Sequence, residues 1–478
     1  MPRISARHLT SSLSFFDYAS LLLVASTFTL LLHVNPPLLV DDFYHLSVAR
    51  QIFVFSFVPT WDFWEFFPLG RPHLYPPLLH ALMALLLRIS GGDVFFTARI
   101  LKTLTYPLLL SSFWFSTRRL ADEKSAFYST LVLASASPLL PLAVMIMPAT
   151  LVLALTPLLI LSFMERRALT SVVLFSVMLW LHISMPLTAA LSLFTFSLMR
   201  GAGYARFFAK VVSVSALTYL PWILHVTNHI EWFASTQASG APFIPVIQWL
   251  LALPSVVAAV KRKEDTSLAY LFLALSFFIF AGYPSRLCAY LMLPASFFAG
   301  RTLARGRWNT KRVKKILLAT ILALLLIAPP TISRGVQSLD PLQPGQPPPP
   351  ELVSFQSPLI FSLSSPLALI LWPTYLRGPL TPTTVPVYAA AVWVALVRPQ
   401  PVCYVGLYVS HASAVTAFTG LPTCGGMWRE VVSCWTIAAS WWFTLSEADV
   451  YIVEAAFAPP APSTLVLDLG MVKVFFRS

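Results

Sequence analysis

The sequence predicts a mainly α, polytopic helical membrane protein with a small α/β domain at its C-terminal end. Three observations carry this. Hydrophobic residues make up 57% of the 478 residues and charged residues only 11%, against about 25% charged in a soluble domain. The apolar residues gather in runs of bilayer-spanning character, with Lys and Arg in short clusters between them. Beyond residue 350 the chain is broken by Pro and Gly, and Val- and aromatic-rich stretches of strand character appear. The same numbers exclude disorder, coiled coil and collagen. An excess of 32 Lys and Arg over 19 Asp and Glu, net +13, would suggest nucleic acid in a soluble protein. Here it fixes orientation in a membrane, so nucleic acid is not an expected partner. Four Cys do not make a disulfide scaffold.

Taken in order, eleven spans are expected, at about 16–34, 94–116, 126–147, 149–164, 168–183, 184–199, 211–227, 243–260, 266–282, 287–300 and 316–330. Several fall short of the ~20 residues a span usually needs. The first lacks a small-residue cleavage site and reads as a span rather than a signal peptide. With the N-terminus in the cytoplasm, 20 of the 32 basic residues fall on the inner side, from Arg3 and Arg7 to the cluster Arg301–Lys315. This parity forbids a further span at 74–87 (LYPPLLHALMALLL). Residues 35–93 are therefore one large outer loop, with interfacial helices at about 42–57 and 74–90. Residues 1–330 form the membrane domain. Residues 331–350 (TISRGVQSLDPLQPGQPPPP) form a Pro-rich, extended linker. Residues 351–478 form the extracytoplasmic α/β domain, with helices near 386–397 and 429–444 and strands at 402–409, 449–455, 464–468 and 472–476. The apolar pieces 358–373 and 431–444 are alternatively membrane-associated. No internal repeat stands out.

The outer loop carries the chemistry. DDFYH at 41–45 places Asp41 and Asp42 directly after the first span. Adjacent carboxylates at a membrane surface repel each other and cost solvation. They suit a general base or a cation ligand. The bland alternative is an N-cap for the helix that follows, and from the motif alone both readings stand. Further along, Asp62 and Glu65 lie among aromatics in WDFWEFF (61–67), and RPHLYPP (71–77) brings Arg71, His73 and Tyr75. With Tyr44 and His45, Arg71 and His73 are candidates for positioning a polar substrate. Most of the Trp and Phe residues read as an interfacial aromatic belt, and His80 as a structural polar contact. Arg99 and Lys102 lie three residues apart on one helix face inside a span, and Arg286 stands at the outer start of another. Cations at such depth are functional candidates, with a lipid phosphate as the obvious partner. Snorkelling is the alternative, more so for Arg286. There is no Gly-rich phosphate loop, nucleotide fold, HExxH or zinc-like Cys spacing. One disulfide among Cys403, Cys424 and Cys434 is open and unassigned.

In order and orientation these features resemble the GT-C superfamily of membrane glycosyltransferases. The resemblance rests on DDFYHLSVARQI (41–52), RPHLYPPLLHALMALLLRISGG (71–92), the span–basic turn–span of 97–138, and SRLCAYLMLPASFFAG (285–300). It covers roughly 1–330. It implies a polyprenyl-phosphate-linked sugar as donor and an acceptor protein, lipid or glycan on the outer face. It also implies a single inverting displacement, with Asp41 as general base and Asp42 as alternate base or orienting group. Arg286, with Arg99 and Lys102, would meet the donor phosphate. Oligosaccharyltransferases of the superfamily carry a second acidic motif that helps bind a divalent metal. The matching region here, MIMPATLVLALTP (145–157), has no carboxylate, so no metal ligand and no cofactor is expected. An enzyme using a lipid-linked oligosaccharide is the first alternative, a transporter or lipid flippase the second. A flippase needs polar residues along a mid-membrane path, and the centres of most spans here are devoid of charge.

Overall fold

The computed structural model describes residues 13–305 apart from 37, 67–69, 137–138, 233–245 and 280–283, and also 384–397, 402–405, 410–423, 449–454, 463–470 and 472–477. The expected last span 316–330, the linker, the helix 429–444 and the piece 358–373 lie outside the described residues.

Helices α1 (Phe15–Val34), α2 (Val40–Phe55), α3 (Leu78–Ile89) and α4 (Val94–Leu120) open the chain. A two-stranded ribbon, β1 (Trp61–Asp62) antiparallel to β2 (Arg71–Pro72), folds between α2 and α3. There follow α5 (Glu123–Ala134), α6 (Leu140–Val144), α7 (Pro148–Met164), α8 (Ala168–Leu181), α9 (Met185–Arg200) and α10 (Ala202–Thr227). A 3₁₀ turn at Ile230–Trp232 precedes α11 (Val246–Arg262), α12 (Asp265–Ile279) and α13 (Pro284–Arg305). Two helices, Phe15–Val34 and Ala202–Thr227, are long and apolar enough to cross a membrane, and five shorter ones are also apolar. Large apolar side chains lie exposed on the outside of the bundle, among them Leu22, Leu217, Ile247 and Leu250, as expected of helices that face lipid.

The two ends of this bundle differ in chemistry. At one end the helix termini are tied by ion pairs. Arg118 Nε meets Asp17 Oδ1 at 2.6 Å, Arg119 Nη2 meets Glu165 Oε1 at 3.0 Å, and Arg301 Nη2 meets Glu264 Oε2 at 2.6 Å. Arg200 pairs with Asp265. The first two tie the start of α1 to the end of α4 and α4 to the turn after α7; the others tie α13 to the turn before α12 and α9 to the start of α12, so basic turns counted in the sequence gather at this end. The opposite end carries α2 and α3, which pack on each other. With 12 residues, α3 is roughly 18 Å long, short of the ~30 Å hydrocarbon core, and it buries Leu79, His80, Met83, Ala84 and Leu87.

Two expectations are corrected. The span expected at 126–147 is broken: α5 ends at Ala134 and the short α6 takes over, in a stretch that contains Pro138 and Pro141. The helix expected from 211 begins at Ala202, directly after Gly201 at φ 88°, so the basic segment before it is helical too. Arg99 and Lys102, three residues apart on α4, meet different surroundings. Arg99 is exposed and donates to the Leu32 carbonyl (3.3 Å), whereas Lys102 is 1% exposed.

Toward the C-terminus, α14 (Thr384–Val397) and α15 (Ser410–Thr419) accompany four strands: β3 (Val402–Val405), β4 (Val450–Glu454), β5 (Ser463–Asp468) and β6 (Val472–Arg477). The sheet order is β3-β4-β6-β5; β3 and β4 are parallel and the other pairs antiparallel. Helix α15 was not expected from the sequence. It joins two cores: Ala414, Ala417 and Phe418 pack into the bundle, and Val415 packs under the sheet.

Candidate active site

Asp41 and Asp42 stand in the first turn of α2, where the helix dipole favours carboxylates, but their surroundings differ. Asp42 is fully buried. Its Oδ2 meets Lys102 Nζ at 2.5 Å and accepts from the Leu39 N–H at 2.7 Å, while its Oδ1 accepts from the Ile146 N–H at 2.6 Å. One carboxylate thus ties α2 to α4 and to the turn before α7. Lys102, expected at a donor phosphate, is instead the counter-ion of Asp42. The helix begins at Val40, before the acidic pair, so its N-cap is Leu39 and not an Asp; Asp42, at the third helical position, accepts from the Leu39 N–H. Asp41 is half-buried. Arg286 lies in the first turn of α13; its side chain is outside the described residues.

The other loop residues form a buried polar layer behind α2. Arg71 is fully buried. Its Nε and Nη2 donate to Glu65 Oε2 at 3.0 and 2.6 Å, and its Nη2 lies 3.9 Å from Asp62 Oδ2. Asp62 Oδ1 accepts from Gln51 Nε2 (2.7 Å) and from the Trp64 N–H (2.9 Å). Glu65 Oε1 accepts from Ser413 Oγ of α15 at 2.7 Å. Burial, then the charge on Glu65, push the Asp62 carboxyl up to about 6, with Arg71 pulling the other way. Burial opposes charge on Arg71, but Glu65, Tyr44 and Asp62 outweigh it, and the guanidinium holds its proton above its ordinary range. Arg71, expected to position substrate, is a structural knot that binds the loop to itself and to α15. Gly70 (φ 68°) makes that knot possible, because a Cβ there would strike the Asp62 carbonyl and the Trp61 ring.

Next to the knot is a cluster of imidazoles and aromatic rings. His45 Nδ1 lies 2.9 Å from His80 Nε2, and Tyr44 Oη lies 3.5 Å from His73 Nδ1. The rings of His73 and His80 are 5.2 Å apart, and Tyr75 lies 5.9 Å from His182 at the end of α8. From α10, His225 Nε2 lies 2.9 Å from the His73 carbonyl oxygen, and Trp222 packs on His73 at 5.8 Å. His45, His73, His80 and Tyr44 are all buried. Burial, then neighbouring positive charge, push His73 and His80 well below the usual imidazole range. Burial raises Tyr44. The sequence therefore located Tyr44, His45 and His73 in one cluster, but as its buried wall. It missed His182 and His225; the signal was present, as each stands at the outward end of its helix, on the same side as the acidic loop. Among the described residues no group of three or more His, Cys, Asp or Glu could hold a metal ion.

Comparison with known proteins adds the fold. No family profile and no curated protein matches the sequence. Solved structures do. ArnT from Cupriavidus metallidurans bound to undecaprenyl phosphate aligns with a TM-score of 0.65 at 15% identity, covering 96% of this chain and 97% of that one. The oligosaccharyltransferase AglB from Archaeoglobus fulgidus, in complex with an inhibitory peptide and a dolichol-phosphate, aligns with a TM-score of 0.60 at 10% identity, over 92% and 70%. The mycobacterial arabinofuranosyltransferase AftD aligns with a TM-score of 0.58 at 15% identity, over 98% and 40%. All three are multi-pass membrane glycosyltransferases of one superfamily. The chain has the GT-C fold.

Proposed function

We propose that this protein is a membrane glycosyltransferase that moves a sugar from a polyprenyl-phosphate donor to an acceptor at the α2–α3 end of the bundle. The observation that carries the reading is the division of labour at 41–42. Asp42 is neutralised by Lys102 and committed to three partners, while Asp41 stands half-buried in the same helical turn. Asp42 is thus an orienting group, and the base role falls to Asp41. Asp41 takes the proton of an acceptor hydroxyl as the oxygen attacks the anomeric carbon; the C–O bond to phosphate breaks with inversion, and the phosphate leaves with the electron pair. Arg286 faces the charge that grows on that phosphate. Arg99, exposed one turn from Lys102, is the second cation for the lipid phosphate. The undecaprenyl phosphate on ArnT and the dolichol-phosphate on AglB support a polyprenyl carrier.

The test is turnover of undecaprenyl-phosphate-linked monosaccharides by the purified chain. Asp41→Asn should lower kcat by about 10²–10⁴-fold in a folded protein. Arg286→Ala should raise donor KM and lower kcat, with partial recovery in Arg286→Lys, which lacks the planar fork. Full activity in folded Asp41→Asn removes the base assignment.

A further inference from the structure

The imidazole cluster holds a pair whose proton positions can be deduced by counting. His45 Nδ1 and His80 Nε2 lie 2.9 Å apart, so one donates and the other accepts. His80 is fully buried, and its Nδ1 has no hydrogen-bond partner among the described residues. If His45 donated, neutral His80 would carry its own proton on Nδ1, leaving a buried N–H with nothing to receive it. If His80 Nε2–H donates, the orphan is a bare lone pair. Buried unpaired donors are rarer and costlier than under-used acceptors. The second arrangement therefore holds, and it leaves the proton of neutral His45 on Nε2.

His45 sits one helical turn after Asp41. Residues i and i+4 are neighbours on a helix surface, and side chains lean toward the helix N-terminus. His45 and Asp41 therefore lie on one face of α2, with the His45 side chain leaning toward the first turn. We propose that His80 fixes the tautomer of His45, and that His45 in turn donates from Nε2 to the Asp41 carboxylate, making both histidines positioning residues for the base. This rests on Asp41 being the base. The surroundings fit a neutral pair: Tyr44, His73, Tyr75, His182 and His225 bring no fixed charge, and the Arg71 guanidinium, held by Glu65 and near Asp62, opposes an imidazolium.

The test is an infrared pH titration of the purified full-length chain in detergent, with the Asp41 carboxylate band assigned by its loss in Asp41→Asn. A donated hydrogen bond favours the ionised carboxylate, so its loss in His45→Phe should raise the Asp41 midpoint by about one pH unit. His80→Phe should raise it by a similar amount. His80→Gln, which keeps an N–H donor, should leave it near the wild-type value. Adding His80→Phe to His45→Phe should give no further rise, because His80 acts through His45; a purely structural role would not produce that pattern. An unchanged midpoint in folded His80→Phe overturns the proposal. If the midpoint is unchanged while Asp41→Asn still abolishes turnover, only the positioning chain fails. If Asp41→Asn leaves turnover intact, the base assignment fails whatever the titration shows.

Discussion

Asp42 and Lys102 show how a residue that looks catalytic in sequence becomes structural in space. A carboxylate beside another carboxylate at a membrane surface advertises chemistry, but Asp42 is fully buried against an ammonium 2.5 Å away. Removing one partner of a buried pair leaves a charge without its counter-ion and costs about 3–5 kcal/mol. Lys102→Met and Asp42→Asn should therefore each lower the thermal midpoint strongly, and the double variant should cost clearly less than the sum. Additive losses in the double-mutant cycle would show that the two do not interact. The buried histidines and Asp62 make a second prediction, on pH. His73 and His80 bind protons less readily folded than unfolded. The stability they allow is complete above their unfolded value of 6.5 and is lost as pH falls below it. Asp62 runs the other way: its folded carboxyl titrates near 6, above its unfolded value, so protonation below pH 6 favours the fold. Two imidazoles outnumber one carboxyl, and the thermal midpoint should fall from pH 7 to pH 5. His73→Gln or His80→Gln should flatten that fall and Asp62→Asn should steepen it. A midpoint that rises over the same interval contradicts the assignment.

Helices were legible where hydropathy and Pro/Gly punctuation speak locally. The expected first span, 16–34, is α1 to within a residue, and α7, α8 and α9 lie where their apolar runs do. What escaped the sequence depends on distant partners. Helix α15 (SHASAVTAFT) is short and only mildly apolar; it is stabilised by packing Ala414, Ala417 and Phe418 on the bundle. The Glu65–Ser413 bond spans 348 positions, and no local pattern encodes it. Close helix approach is similarly invisible: Gly300 on α13 faces the backbone of Ser129 on α5, and a Cβ there would overlap it. Ser129 Oγ also donates to the Phe297 carbonyl at 3.3 Å. Gly300→Ala must push α13 away from α5 and disturb the stack of Tyr270 on Phe297 at 4.0 Å. Overpacking of this kind costs about 1–3 kcal/mol, although Ala is the better helix former. A thermal midpoint equal to or above that of the parent chain would show that the helices can separate at no cost.

At the scale of the whole molecule, α15 fixes which side the C-terminal strands occupy. Arg50 of α2 donates from Nη1 to the Ala417 and Phe418 carbonyls at 3.1 and 3.0 Å. These are unsatisfied carbonyls at the end of α15, where a cation is also favoured by the helix dipole. Phe418 packs edge-on against Phe43, one residue beyond the acidic pair, at 5.7 Å, and the Thr423 N–H donates to the Trp64 carbonyl at 2.8 Å. The strands are therefore at the same end of the bundle as Asp41, and the basic turns are at the other. The positive-inside rule predicts that the basic side is cytoplasmic. The labelling experiment uses a chain in which all four Cys have been replaced. Single cysteines are then introduced as Phe57→Cys, exposed after α2, and as Arg206→Cys, exposed at the basic end. In intact cells a membrane-impermeant thiol reagent should label the first and spare the second until the membrane is permeabilised. A third cysteine, Gln346→Cys, lies in the Pro-rich stretch that the count of basic residues places on the outer side, and should label with the first. Labelling at position 206 in intact cells would invert the orientation and place the acidic loop in the cytoplasm. Protection at 346 with labelling at 57 would put the Pro-rich stretch on the basic side, with the apolar piece 358–373 crossing back, and leave the orientation of the bundle intact.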